Sequence, residues 1–286
     1  MAAAMKLSFG IDVPRRIGNT IRSVHRSFPL DRFVRDVSRG YEALELMPRA
    51  RHIAQALRAH LPAKYADAIE ILMASLGPAS VASDGDRIAP FFYLPHTLFV
   101  AEYGLGDFEP SMRAQYELTQ RFTAEFSIRP FLVHDTGRTL ERLAQWAHDD
   151  NVHVRRLVSE GTRPRLPWAP RLRAFQRDPA PVLALLELLK DDPELYVRRS
   201  VANNLNDVGK DHPALLLDTA SRWLQRSTPQ RRWIVERGLR SLVKQCDVKA
   251  LALLGYGHSA GLEVRGGRIT PKRVALVTAL RSRSKL

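Results

Sequence analysis

A 43-residue echo constrains this chain more than any other feature. The run from Asn151 to Gly161 carries Val154-Arg155-Arg156, and the run from Glu194 to Asp207 carries Val197-Arg198-Arg199. Each follows a pair of aspartates, Asp149-Asp150 and Asp191-Asp192, and the two valines lie 43 positions apart. Repeats of roughly 40–47 residues are the period of stacked helix pairs, in which one unit buries its apolar face only against the next. At about 100° per residue, Leu157 and Val158 fall beside Val154 as a buried stripe. Arg155, Arg156 and Ser159 point away, and Glu160 sits one turn beyond Arg156. In the second run Val201 and Asn204 flank Val197, while Arg199, Asn203 and Asp207 form an i, i+4, i+8 strip. Stacking the two lines Arg156, Glu160, Arg199 and Asp207 along one surface, with cations to hold a polyanion and carboxylates to do chemistry.

Charge sharpens that reading. Residues 1–150 hold 18 basic and 18 acidic side chains, whereas residues 151–286 hold 26 and 12, so the second part carries the whole formal charge of +14. Arginine supplies most of it, and its planar fork suits phosphate. Nucleic acid is the expected partner, with a merely solvated basic surface as the plain alternative. No apolar run reaches 18 residues, so no membrane span is expected. Met1 to Met5 lack the basic and apolar regions of a secretory leader, and Cys246 is the sole cysteine; both agree with a reducing, cytoplasmic setting. His148, His153 and His212 have no metal-ligand spacing, and no phosphate-cradling glycine loop is present, so neither metal nor cofactor is expected.

In chain order, Ile17, Ile21 and Val24 predict a short lead-in helix. Residues 33–61 predict two helices punctuated by Pro48 and Pro62, and Ala63–Leu76 predicts an amphipathic helix ended by Gly77-Pro78. Residues 77–95 read as loop, with Phe91 to Leu94 a packing segment rather than a strand. Further helices are expected over Leu98–Tyr103, Ser111–Phe126, from Pro130, over Thr139–Ala147, Pro179–Leu189, Pro213–Leu224 and Pro229–Val243. After Gly255 the glycine-rich residues 256–286 read as the opening of a truncated β domain, which leaves 1–255 as the helical-repeat domain.

The central residues resemble a known family. Trp146-Ala147, Val154-Arg155-Arg156-Leu157, Ser159-Glu160-Gly161-Thr162-Arg163-Pro164-Arg165-Leu166-Pro167-Trp168, Pro179, and the unbroken run from Val197 to Pro213 are similar to the AlkC branch of bacterial DNA alkylation repair glycosylases. The resemblance implies an all-α superhelical solenoid of HEAT-like repeats that grips duplex DNA in a concave basic groove, without a deep base-flipping pocket. It implies hydrolysis of the N-glycosidic bond of cationic bases such as 3-methyladenine and 3-methylcytosine, by a monomer acting on alkylated double-stranded DNA. Several members carry a C-terminal immunoglobulin-like domain.

On that resemblance Glu160 and Asp207 occupy the acidic positions that stabilise an oxocarbenium-like sugar and orient water, and Glu125 fits a third. Trp168 would stack on the cationic base or pack against the sugar. Arg155, Arg156, Arg163, Arg165, Arg198, Arg199 and Lys210 are candidate phosphate contacts, with Arg231, Arg232 and Arg237 as a possible extension. Each residue alone has a plainer reading: Glu160 with Arg156 as a surface pair, Asp207 as a helix end, Trp168 as a packed loop aromatic. Two other functions stay open, a non-catalytic DNA-binding solenoid and a solenoid whose basic groove receives an acidic protein.

Overall fold

The computed structural model describes residues 9–79 and 91–256, and among these it shows α-helices, one 3-10 turn and no strand. The first helices are α1 (Asp12–Val24), α2 (Leu30–Ser38), α3 (Leu46–His60) and α4 (Tyr65–Ala74). After the undescribed segment come α5 (Leu94–Tyr103), α6 (Phe108–Thr119), α7 (Ile128–His134), α8 (Thr136–Trp146) and α9 (Val152–Gly161). The chain continues through α10 (Arg173–Arg177), α11 (Ala180–Leu189), α12 (Leu195–Gly209) and α13 (Pro213–Leu224). It ends in α14 (Pro229–Gly238), α15 (Arg240–Lys244) and α16 (Val248–Leu253).

These helices alternate between two rows. In one row α4, α6, α9, α12 and α14 each pack on the next. In the other α3, α5, α7, α8 and α11 do the same, while α13 packs across α12 and α14. The architecture is the all-α helix-pair solenoid that the repeat spacing predicts. Its seam is apolar: Val154, Leu157, Val158, Val197 and Val201 are fully buried, and Leu205 nearly so. Burying each such side chain stabilises the stack by roughly 1.5–3 kcal/mol.

The aspartate pairs explain themselves in the coordinates. Asp149 Oδ1 accepts the Asn151 N–H at 2.8 Å, and 43 residues later Asp192 Oδ1 accepts the Glu194 N–H at 2.9 Å. Both are turns in which a short acidic side chain holds the backbone two residues on and launches a helix. The first arginine of each triplet then folds back on that turn. Arg155 donates to the carbonyls of Asp149 (2.8 Å) and Asp150 (2.9 Å), and Arg198 donates to those of Asp192 (3.0 Å) and Pro193. Arg155 Nε also reaches Asp192 Oδ2 at 2.6 Å, which fastens one repeat to the next.

Several helix limits differ from the sequence expectation for identifiable reasons. Pro48 lies in the first turn of α3, where its missing N–H breaks no bond; the break falls instead at Gly40, whose φ of +73° suits glycine. Pro110 likewise lies inside the first turn of α6. That helix stops at Thr119 rather than Phe126, where Arg121 turns to the carbonyls of Glu117 and Gly77. Pro229–Val243 is divided at Leu239. No helix among the described residues is long and apolar enough to cross a membrane. The expected β-like tail over 256–286 lies, apart from Tyr256, outside the described residues.

One buried group makes the core acid-sensitive. His96 in α5 is 1% exposed, packs against Phe92 and Tyr93, and neither ring nitrogen has a hydrogen-bond partner. Burial pushes its pKa down to about 4. The unfolded chain binds a proton near pH 6.5 that the folded one refuses until about pH 4. Stability is therefore retained above 6.5 and lost between those values, by about 3 kcal/mol in all. Urea unfolding at a series of pH values checks this: His96→Leu should flatten the loss over that window.

Candidate active site

Glu160 is the penultimate residue of α9 and Asp207 lies near the end of α12, neighbours in the same row. One guanidinium joins them. Arg163 donates through Nη1 to Glu160 Oε1 at 2.6 Å and through Nε to Asp207 Oδ2 at 2.9 Å. On one side Lys210 Nζ sits 2.9 Å from Asp207 Oδ1. On the other Arg156 lies 3.7 Å from Glu160 Oε2 and 2.8 Å from Glu125 Oε2. The result is a single string of alternating charge: Glu125, Arg156, Glu160, Arg163, Asp207, Lys210. The structure thus brings all three candidate carboxylates together, with Glu125 in the turn after α6 rather than on a helix.

The string is set into the solenoid. The side chains of Asp207 and Glu160 are 1% and 8% exposed, and those of Arg163 and Arg156 10% and 17%, while Lys210 at 42% forms the open end. Burial pushes the Glu160 carboxyl up, but the charges of Arg156 and Arg163 and the Ser200 hydroxyl outweigh it and hold the group below the usual range. Burial likewise works against the charge of Arg163, and Glu160 and Asp207 more than restore it. A hydroxyl relay supports the string from beneath: Ser159 Oγ donates to Ser200 Oγ (2.7 Å), which donates to Glu160 Oε2 (2.6 Å). Asn204 Nδ2 closes the seam on the carbonyl of Ser159 at 2.8 Å. Thr123 donates to Glu125 (2.9 Å), and the Tyr196 ring lies 5.0 Å from the Arg156 guanidinium.

Gly161 shows how closely the elements meet here. A Cβ at this position would lie 2.5 Å from the Ile128 side chain of α7, so any larger residue would push the two helices apart or displace Ile128.

Trp168 is 74% exposed and holds a left-handed φ of +64°, an uncommon state for a bulky residue. Strain of this kind persists only where the surroundings fix it, and here they do. Arg129, 4% exposed, donates to the carbonyls of Gly161 (3.0 Å), Arg163 (2.8 Å) and Pro170 (2.6 Å). Burial and the Arg163 charge push its pKa down to about 10, so it remains a cation near neutrality. Arg165 pins the same loop to Asp211 through two hydrogen bonds. Replacing Arg129 with methionine should leave three carbonyls without a donor and cost about 2–4 kcal/mol. Faster amide exchange over residues 162–171 than over α12 would check that the loop is what loosens.

The candidate phosphate contacts divide into two groups. Arg155, Arg156, Arg163, Arg165 and Arg198 spend their guanidinium groups inside the protein, on the partners given above. Arg199 and Lys210 are exposed, as are Arg232 and Arg237 on α14. Arg231 pairs with Asp191, as Arg155 does with Asp192. Arg129, Ser200, Thr123 and Tyr196 are given no site role in the sequence reading. Ser200 had a signal, since it replaces Leu157 of the preceding repeat and so sets a hydroxyl in an apolar register. Arg129 had none. Among the described residues no group of His, Cys, Asp and Glu could hold a metal ion.

The site is thus a string of alternating carboxylates and cations set along one row of a helix-pair solenoid. Residues 122–234, which contain Glu125, Glu160, Trp168 and Asp207, match the family described as DNA alkylation repair enzyme. The chain is 37% identical over 283 residues to YhaZ of Bacillus subtilis (strain 168), covering 97% of this chain and 75% of that protein. It also superposes on the Pseudomonas fluorescens alkylpurine DNA glycosylase AlkC bound to DNA containing an abasic site analog. There the TM-score is 0.78 and the identity 38%, over 87% of this chain and 68% of the other. The chain belongs to the DNA alkylation repair enzyme family, and its likeness is to the AlkC branch.

Proposed function

We infer that the protein is a DNA glycosylase that releases cationic N-alkylated bases, 3-methyladenine and 3-methylcytosine among them, from duplex DNA. The single observation that carries this reading is the string in which Glu160 and Asp207 share Arg163, whose loop goes on to the exposed Trp168. A base alkylated at N3 already bears positive charge and leaves as a neutral molecule, taking the electron pair of the N-glycosidic bond. The positive charge then passes to the sugar, where Asp207 and Glu160 stabilise it, with Glu125 holding the far end of the string. Water adds its oxygen to C1′ and gives a proton to a carboxylate or to solvent, which completes the hydrolysis.

Lys210 and Arg163 shield the carboxylates in the free protein. Backbone phosphates compete for such cations, so docking DNA draws Lys210 off Asp207 and leaves its negative charge to meet a cationic nucleotide. Trp168 supplies the aromatic face that a cationic base prefers. Exposed Arg199, Arg232 and Arg237 supply phosphate contacts along the row, and the protein works as a cytoplasmic monomer on the chromosome.

Incubation with duplex DNA treated with a methylating agent, followed by chromatography of released bases, tests the reading. Release of cationic methylated bases is expected, with binding that weakens steeply as salt rises. Tight, salt-sensitive duplex binding without any base release would identify a binding module instead.

A further inference from the structure

A cavity of about 310 Å³ lies away from the acidic string, between α7 and the segment that leads through α10. Its walls come from α7, a member of the row opposite α9 and α12, and from the chain between Trp168 and α11. The floor is apolar: Leu132, Leu172 and Phe175 are buried there, and Val133 at the edge is 74% exposed. Arg171, Arg173 and Arg177 stand around it, all exposed, and among the described residues none forms an ion pair or hydrogen bond. By contrast Arg155, Arg165 and Arg231 are each matched to an aspartate.

We propose that this cavity docks an acidic peptide segment of a partner protein, which inserts one bulky apolar side chain between the three arginines. Charge complementarity selects the occupant. Three unpaired guanidinium groups call for several carboxylates, and an apolar floor of this size accepts one aromatic or branched aliphatic residue. A DNA backbone would satisfy the arginines but leave the exposed Val133 without a partner. Its place in the opposite row lets such a peptide bind while duplex DNA occupies the α9 and α12 face. The loop carrying Trp168 runs directly into Arg171, so a bound partner also touches the chain that frames the site.

The test uses fluorescence anisotropy with the full chain and three labelled peptides. One has four aspartates followed by a C-terminal phenylalanine, one has asparagines in place of the aspartates, and one ends in serine. The first should bind at least about tenfold more tightly than either of the others. Val133→Asp and Arg173→Glu, both at exposed positions, should each weaken it by about tenfold or more. Affinity for an undamaged duplex should change by less than about twofold in both variants. Equal binding of all three peptides would overturn the proposal. So would an Arg173→Glu variant that loses duplex affinity as strongly as peptide affinity, because the arginines would then belong to the DNA track.

Discussion

Asp207→Asn and Glu160→Gln should each lower single-turnover base release by about 10²–10³-fold while leaving duplex affinity equal or slightly improved. Each change nearly keeps the shape of the side chain while removing its charge and turning one of its two acceptor oxygens into a donor. Asp207 contacts Arg163 and Lys210, and Glu160 contacts Arg163, Arg156 and Ser200. Loss of either carboxylate therefore frees a cation that can turn to phosphate, so binding cannot suffer on electrostatic grounds. Release rates measured beside duplex titrations separate the two effects. Parallel loss of binding and release would mean that the carboxylates organise the DNA surface rather than act on the sugar.

Arg163→Met should destabilise the protein by about 3–5 kcal/mol, because it removes the guanidinium that two buried carboxylates share and leaves each with weaker compensation. The pH dependence gives the effect a signature. With Arg163 in place, Glu160 is held below the usual carboxylate range, so its contribution to stability is present at neutral pH and lost as pH falls through its folded pKa. Without Arg163, one of the two cations that oppose its burial is gone and the Glu160 carboxyl rises, so the folded variant takes up a proton more readily than the folded wild type. The gap between wild type and variant should accordingly narrow as pH falls from about 8 to about 5. Adding Glu160→Gln to Arg163→Met should recover part of the loss, a non-additivity expected of groups in contact. A constant gap across that range, with strictly additive effects, would mean that Arg163 acts by packing alone.

The sequence showed more of the scaffold than of the site. Val154 and Val197, 43 residues apart, announced two stacked helices because apolar periodicity and repeat spacing are local properties. Asp149-Asp150 and Asp191-Asp192 marked the turns that begin those helices. The i, i+4, i+8 arithmetic placed Glu160 and Asp207 on one surface, and the structure sets them side by side. It could not show that Arg163 bridges them, since that contact joins residues 44 positions apart across a helix boundary. The arginines were read by number and sign, and five of the seven basic candidates turn out to hold the fold together. Net charge does not distinguish an arginine that caps carbonyls from one that faces solvent. Arg129, beside a proline and far from the motif in sequence, showed its role only once the loop of Trp168 closed around it.

The most direct measurement compares affinity for two duplexes that differ at one nucleotide. One carries a neutral tetrahydrofuran abasic site and the other a pyrrolidine analogue that is protonated, and so cationic, at the position of the broken bond. If Asp207 and Glu160 converge on an electron-poor sugar, the wild-type protein binds the cationic duplex at least about tenfold more tightly, and Asp207→Asn erases the preference. Equal affinity of the wild-type protein for the two duplexes would contradict the assignment of these carboxylates to the reaction.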